Sequence, residues 1–233
     1  MHPRGNAQIT TSKSIIAYIF YIYISLLWRD VMSREQQIGE KPTGLMGTLA
    51  GGLMNLIHKK EYSIIIEAIQ SRSELPVSTI LDIGCGGGAV VKEFSRQFSN
   101  AQVIGVDHSA EMVRLSQKTN KSGIKTGRVK IQQNGVEKIE IESNTVDIIT
   151  AFDTINFWPD YDLAFGEIKR VLSTGGRFII VNGYPPVGSR WYEFVKFKDE
   201  HEYRSFLAQH GFEVSYLEVK NHTIIIESKK KVL

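Results

Sequence analysis

An α/β fold, a parallel sheet covered by helices on both faces, follows from two patterns in this sequence. From Val77 onward, short β-branched runs alternate with stretches whose apolar residues recur at helical spacing. A glycine-rich stretch stands where the first such run hands over to the first such helix, at the sheet edge where open α/β folds bind ligands.

The parallel strands are expected at residues 79–83, 102–106, 128–132, 146–152 and 177–181. Val91, Phe94 and Phe98 fall at i, i+3 and i+7, and Tyr161, Phe165, Ile168 and Leu172 at i, i+4, i+7 and i+11. Each set gives a crossover helix one apolar face to lay on the sheet. Residues 53–70 read as a further helix, preceded by a glycine-rich, irregular lead-in at 39–52. The last third changes character. A helix over 199–210 is stopped by Gly211, and residues 212–219 and 223–228 form two strands around a polar turn at Asn221, an antiparallel hairpin on the sheet edge. No repeat, low-complexity tract or Pro- or Ser-rich linker divides residues 32–233, which read as one domain.

Composition narrows the function classes. With 42% hydrophobic and 23% charged residues among 233, the chain is neither disordered, collagen-like nor polytopic. The net charge of +3 makes no basic stripe, and the one dense cationic run is residues 229–231, so no nucleic-acid partner is expected. The single cysteine, Cys85, has no disulfide partner within the chain, and no His or Cys cluster has metal-ligand spacing. A reducing, cytoplasmic setting is expected and no metal. Residues 1–31 are set apart as an extension: residues 15–28 are apolar except for Ser25 and end at Arg29. As a helix those 14 residues reach only about 21 Å, against a hydrocarbon core of roughly 30 Å. The extension reads as an interfacial or signal-like anchor, as a helix packed on the domain, or as a stretch translated upstream of a functional start at Met32. Any membrane contact is expected through residues 15–28 alone.

The glycine run is Leu81-Asp82-Ile83-Gly84-Cys85-Gly86-Gly87-Gly88-Ala89. Glycines there let the chain turn sharply and let a ligand approach the backbone. Gly84, Gly86 and Ala89 also satisfy a dinucleotide pattern, so charge has to decide. Asp82 ends strand one beside the place a pyrophosphate would occupy, and a carboxylate there repels phosphate and attracts a cation. S-adenosylmethionine carries an ammonium and a sulfonium and no phosphate, so Asp82, Gly84, Gly86 and Gly88 suit it better than a nicotinamide dinucleotide. Asp107 ends strand two and is placed to accept both ribose hydroxyls; its alternative role is helix capping, for which Ser109 is the better candidate. His108 and Met112 follow, the latter either against an adenine face or in the core.

With these residues in view, the chain resembles the class I S-adenosylmethionine-dependent methyltransferases, in the branch similar to the small-molecule quinone-biosynthesis enzymes. Residues 81–88 resemble the first motif, 103–109 the second, 146–152 the fourth strand, and 168–178 the helix-turn-strand before strand five, within a likeness spanning roughly residues 43–229. The resemblance implies a Rossmann-like seven-stranded sheet whose last strand is antiparallel. It also implies a cofactor site of Asp82, Gly84, Cys85, Gly86, Gly88, Asp107, His108 and Met112, with Asn134, Gly135 and Val136 at the adenine edge and Phe152 beside them. Two departures stand out. Many relatives carry Asp where this chain has Gly135, which leaves adenine recognition to Asn134 or to backbone near Val136. Ser173-Thr174 replaces a common Lys-Pro.

The substrate side is expected after strand four, in Phe152-Asp153-Thr154-Ile155-Asn156-Phe157-Trp158-Pro159. Asp153 is the candidate general base, and Phe157 and Trp158 either wall an apolar or planar small molecule or belong to the core. The segment holds no Asn/Asp-Pro-Pro-aromatic motif of the kind used on DNA bases; Tyr184-Pro185-Pro186 follows strand five and reads as a loop, with Trp191 and Tyr192 in a lid. His58, His201, His210 and His222 are scattered and read as structural. Two other classes stay open: a nicotinamide-dependent oxidoreductase, and a non-catalytic scaffold, which Gly135 favours.

Overall fold

The computed structural model of the chain describes residues 59–73, 76–193, 195–220 and 222–231. The extension at residues 1–31, the domain boundary after it, the lead-in at 39–52 and Asn221 lie outside the described residues. The elements run α1 (Lys59–Ser71), β1 (Thr79–Ile83), α2 (Ala89–Gln97), β2 (Gln102–Asp107), α3 (Ala110–Thr119), α4 (Lys121–Lys125), β3 (Val129–Gln133), β4 (Val146–Phe152), α5 (Tyr161–Val171), β5 (Leu172–Gly183), α6 (Glu200–Gln209), β6 (Phe212–Lys220) and β7 (Thr223–Lys230). Single 3-10 turns at Ile155–Phe157 and Arg190–Glu193 interrupt the loops after β4 and β5. No helix among the described residues is long and apolar enough to cross a membrane.

The strands form one seven-stranded sheet in the order β3-β2-β1-β4-β5-β7-β6. Pairing is parallel from β3 to β5, and β7 runs antiparallel to both β5 and β6. The expected hairpin is therefore present, with its second strand inserted between β5 and the edge strand β6. The strand order reverses direction between β1 and β4, and there the two crossover connections leave a crevice at the carboxyl ends.

Alternation along the strands sends side chains to two cores. On one face Ile80, Val103 and Ile148 pack with Ile66 and Ile69 of α1 and with Val91 and Phe94 of α2. On the other, Leu81, Ile104 and Ile149 pack with Phe165 and Ile168 of α5 and with Tyr203 and Leu207 of α6. Parallel strands buried on both faces need crossovers on both sides. Caps fix where these helices begin: Ser109 Oγ accepts from Met112 N, Asp160 from Leu163 N and Asp199 from Glu202 N. The capping role weighed for Asp107 thus falls to Ser109.

One boundary differs clearly from expectation. β5 begins at Leu172, directly at the end of α5, and not at Arg177. Leu172 pairs with Val146 across a register shift, while Gly175 takes φ +80°. A strand that starts by pairing, turns on glycine and resumes gives no β-branched run to read.

A charged network locks the far half of the sheet to α1. Glu227 on β7 is 3% exposed and accepts from Arg72 and, at 3.0 Å, from Arg177 Nη1. Arg177 Nη2 also donates to Ile69 O and to Ser73 Oγ, at the carboxyl end of α1. A cation there satisfies orphan carbonyls of the helix and opposes its dipole. Removing the shared anion leaves two guanidiniums facing each other in a largely buried site. We therefore expect Glu227→Ala to destabilise the domain by about 3 kcal/mol, read as a lower denaturant midpoint at unchanged slope. A midpoint equal to that of the unaltered protein would show that the network holds nothing.

Candidate functional site

The loop from β1 into α2 crosses the carboxyl edge at the topological switch. Gly84 N and Cys85 N both donate to Val106 O, at 2.8 and 2.9 Å, which ties the loop to β2. The three motif glycines then do different things. Gly84 (φ +70°) lies against Thr154, whose Cβ would stand 2.9 Å from any Cβ added there. Gly88 (φ +80°) packs on α3, with the Ser116 Cα 2.9 Å from the same virtual atom and Asn120 Nδ2 donating to Gly88 O. Gly86 (φ +49°) alone has nothing within 4 Å. Two of the glycines are thus required by protein packing, and only Gly86 offers the open backbone expected for all three.

Cys85 is placed away from that opening. Its side chain is buried, and Sγ lies 3.8 Å from Ser116 Oγ and would meet a Cβ at Gly105. Burial, with Asp82 and Asp107 nearby, raises its pKa well above the ordinary thiol value, so it stays a protonated packing group and offers no thiolate to a ligand. Gly105, which the sequence reading did not single out, admits the loop onto β2; a glycine inside a strand is the signal for such an approach.

Asp82 sits at mid-sheet on β1, 1% exposed, on the face shared with Ile80. Thr150 Oγ1 donates to its Oδ1 at 2.8 Å, because Asp82 and Thr150 are in register on adjacent strands. Its Oδ2 is buried and has no hydrogen-bond partner. Burial raises the pKa from 3.8 to about 7, against the Thr150 hydrogen bond and helped by the charge of Asp107. At 1.36 kcal/mol per unit, holding this group charged costs roughly 4 kcal/mol relative to water. A carboxylate with one oxygen orphaned in a dry site is an acceptor waiting for a cationic donor.

Asp107, also buried, accepts from Gly86 N (2.9 Å) through Oδ2 and from Ser109 N (2.9 Å) through Oδ1. It holds the open glycine beside the tip of β2, and each oxygen keeps a second lone pair. His108 is exposed, its Nδ1 3.8 Å from Asp107 Oδ1. Met112 is buried in the first turn of α3. Past β3, Asn134 N donates to Asp107 O, and its side chain reaches Lys138 O. Val136 is buried in the core, while Gly135 has the Glu137 carboxylate beside it.

At the end of β4, Phe152 packs edge-on against Tyr62 of α1 at 5.3 Å between centroids. Asp153 follows, exposed, at φ +54°. Its N–H donates to Val181 O and its Oδ1 accepts from Gly183 N at 2.6 Å. Behind it Asn182 Nδ2 donates to Tyr203 OH, and Asn182 Oδ1 is buried without a partner. The two alternatives for Phe157 and Trp158, wall or core, divide between them. Phe157 is half exposed, but Trp158 is buried, stacked on Phe178 and edge-on to Phe165, and so belongs to the core. Thr150, Asn182, Tyr203 and Glu137 were not found from sequence. Their places depend on strand register and on a long loop, and only Thr150, a polar residue inside an apolar run, left a trace.

The switch-point loop and the two acids near the carboxyl ends of β1 and β2 fall within residues 81–180, which match the family model described as a methyltransferase domain. Over those residues the chain is similar to a methyltransferase domain. It is 31% identical over 137 residues to the uncharacterized methyltransferase YcgJ of Bacillus subtilis, covering 58% of this chain and 51% of that one. It is 31% identical over 132 residues to the ubiquinone/menaquinone biosynthesis C-methyltransferase UbiE of Geotalea daltonii, covering 56% and 54%. The chain spans about half the length of these curated relatives. The crystal structure of geranyl diphosphate C-methyltransferase from Streptomyces coelicolor superposes with a TM-score of 0.60 at 17% identity, over 72% of this chain and 78% of that one, a likeness of fold.

The site fits S-adenosylmethionine on its own geometry. An orphaned buried carboxylate would meet its cationic part, Gly86 leaves backbone open, and Asp107 keeps lone pairs that a diol would use. Protonation of Asp82 removes the attraction, so affinity for S-adenosylmethionine should rise with pH up to about 7 and then level, by up to tenfold per unit below it. In the cofactor-free protein the sign is opposite. The folded state holds the Asp82 proton more tightly than the unfolded state, so stability falls as pH rises from 3.8 to about 7. Asp82→Asn should flatten both profiles, in calorimetry and in thermal unfolding respectively; profiles unchanged by that substitution would remove Asp82 from the account.

Proposed function

We propose that this protein transfers the methyl group of S-adenosylmethionine to a small acceptor molecule with an apolar or planar body. The observation that carries the reading is the buried, half-partnered Asp82 under the glycine loop, a feature that suits a cationic donor and opposes a pyrophosphate. When bound, the cofactor supplies an electrophilic methyl on a positively charged sulfur that leaves as a neutral thioether. The chain's residues orient and exclude water: Asp82 and Asp107 hold the two ends, and the acceptor lies over the β4–β5 edge.

Asp153 is the candidate proton acceptor on that edge, fixed by its two hydrogen bonds to β5. It takes the proton of the attacking atom as the new bond to carbon forms. Exposed Phe157 offers an apolar rim. The likeness to a quinone-biosynthesis C-methyltransferase and to geranyl diphosphate C-methyltransferase supports an apolar acceptor. We assign the protein to the cytoplasm, with residues 15–28 as its route of contact with a membrane surface.

Asp82→Ala and Asp107→Ala should each weaken S-adenosylhomocysteine binding at least tenfold, about 1.4 kcal/mol, in titration calorimetry run beside a nicotinamide dinucleotide. Tighter binding of the dinucleotide would replace the reading with the oxidoreductase. No binding of either would favour the scaffold. A metabolite screen read by the mass gain of one methylene then identifies the acceptor. With it in hand, Asp153→Asn, which preserves the acceptor for Gly183 N, should leave cofactor affinity unchanged and lower kcat about a hundredfold. An unchanged kcat would leave orientation alone to account for the rate.

A further inference from the structure

The turn after β3 carries a carboxylate whose place is explained by an absence. A Cβ built on Gly135 would lie 2.6 Å from Glu137 Oε2 and 3.8 Å from its Cδ. The Glu137 side chain therefore folds back over Gly135 and fills the space a side chain there would take. Its other oxygen, Oε1, is buried and has no hydrogen-bond partner. A buried carboxylate oxygen lacking a donor is rare enough in folded proteins to need an explanation.

Position supplies one. Asn134 N donates to Asp107 O at 3.1 Å, so this turn stands against the tip of β2, where Asp107 presents its carboxylate. Lys138 N closes the turn onto Gly135 O. Val136 anchors it in the core, and Ile139, next along, is held through its N–H by Glu167 Oε2 and through its carbonyl by Arg170 Nη2. The backbone that carries Glu137 is pinned on both sides, so its reach is set by the fold. A nucleoside whose ribose meets Asp107 has its base one glycosidic bond away. Adenine differs from hypoxanthine at one edge, an exocyclic amine in place of a carbonyl, and a carboxylate accepts from the amine and opposes the carbonyl.

We infer that Glu137 is the base-specificity residue of this site: it accepts the adenine amino group from two positions beyond the one where many relatives carry the acid, and Gly135 is required empty so that it can. The inference rests on the reading of Asp107 as the ribose acceptor. It makes Gly135 a compensated change in place of a sign of a lost cofactor site.

The test is titration calorimetry of the full chain with S-adenosylhomocysteine and with S-inosylhomocysteine, which carries the carbonyl. The unaltered protein should prefer the adenosyl compound at least tenfold. Glu137→Ala should weaken adenosyl binding at least tenfold and abolish the preference, with the melting temperature retained. Gly135→Ala should do the same with Glu137 intact, because the new methyl displaces the far end of a flexible side chain at little cost to the fold. Gly135→Asp on the Glu137→Ala background should restore the preference. Equal preference in the unaltered protein and in Glu137→Ala overturns the inference and leaves the methyltransferase reading standing. Failure of the unaltered protein to bind either compound overturns both.

Discussion

Everything at this site depends on one ionisable group held inside the sheet. Asp82 occupies a β1 position whose neighbours on the same face are Ile80, Ile148 and the side chains of α1 and α2, and a fully apolar residue there would be more stable. The Thr150 hydroxyl relieves one oxygen and leaves the other with no partner. Such a group persists where a ligand supplies what the protein withholds, and local sacrifice of stability at a binding site is the usual arrangement. The burial that raises the carboxyl toward neutrality is also what makes a cation's arrival strongly favourable, since the same low dielectric scales both effects.

The surroundings keep that group from relaxing. Gly88 seats the loop on α3 and Gly84 seats it on Thr154, while Asp107 grips Gly86 N and Ser109 N. The loop is thereby clamped from β2, α3 and the β4 connection at once. On the opposite face, Trp158 stacks on Phe178, and Phe165 and Phe212 pack edge to face around them beneath β4 and β5. This aromatic packing fixes the end of β4 and with it the edge proposed for the acceptor.

Much of this was legible in the residues. The β-branched runs located β1 and β4 to the residue, and the stop at Gly211 bounded α6, since each signal is local. The seven-stranded sheet with its antiparallel last strand came from the family likeness. What stayed hidden was set by partners distant in sequence. Trp158 stayed open between pocket wall and core because nothing nearby records that Phe178 lies beneath it. The motif glycines looked alike because their dihedral freedom is shared, while their contacts with Thr154, Ser116 and open space are not. Glu137 carries no local signal in the sequence, and only folding brings its carboxylate into the gap left at Gly135.

Asp153 shows how the two halves of the site are joined. A non-glycine residue at φ +54° is uncommon, and aspartate is among the few that tolerate it. Here the conformation is imposed by β5, which takes the Asp153 N–H at Val181 O and returns the Gly183 N–H to its carboxylate. β5 is in turn paired with β7, and Arg177 on β5 is bound to Glu227 on β7 and to the carboxyl end of α1. α1 covers the face that holds Asp82. The residue assigned to the acceptor and the residue assigned to the donor are thus fixed by the same chain of contacts, running from β4 through β5 to α1. A loosening at the Glu227 network would disturb both ends of the transfer together, through alignment and without touching either reacting group.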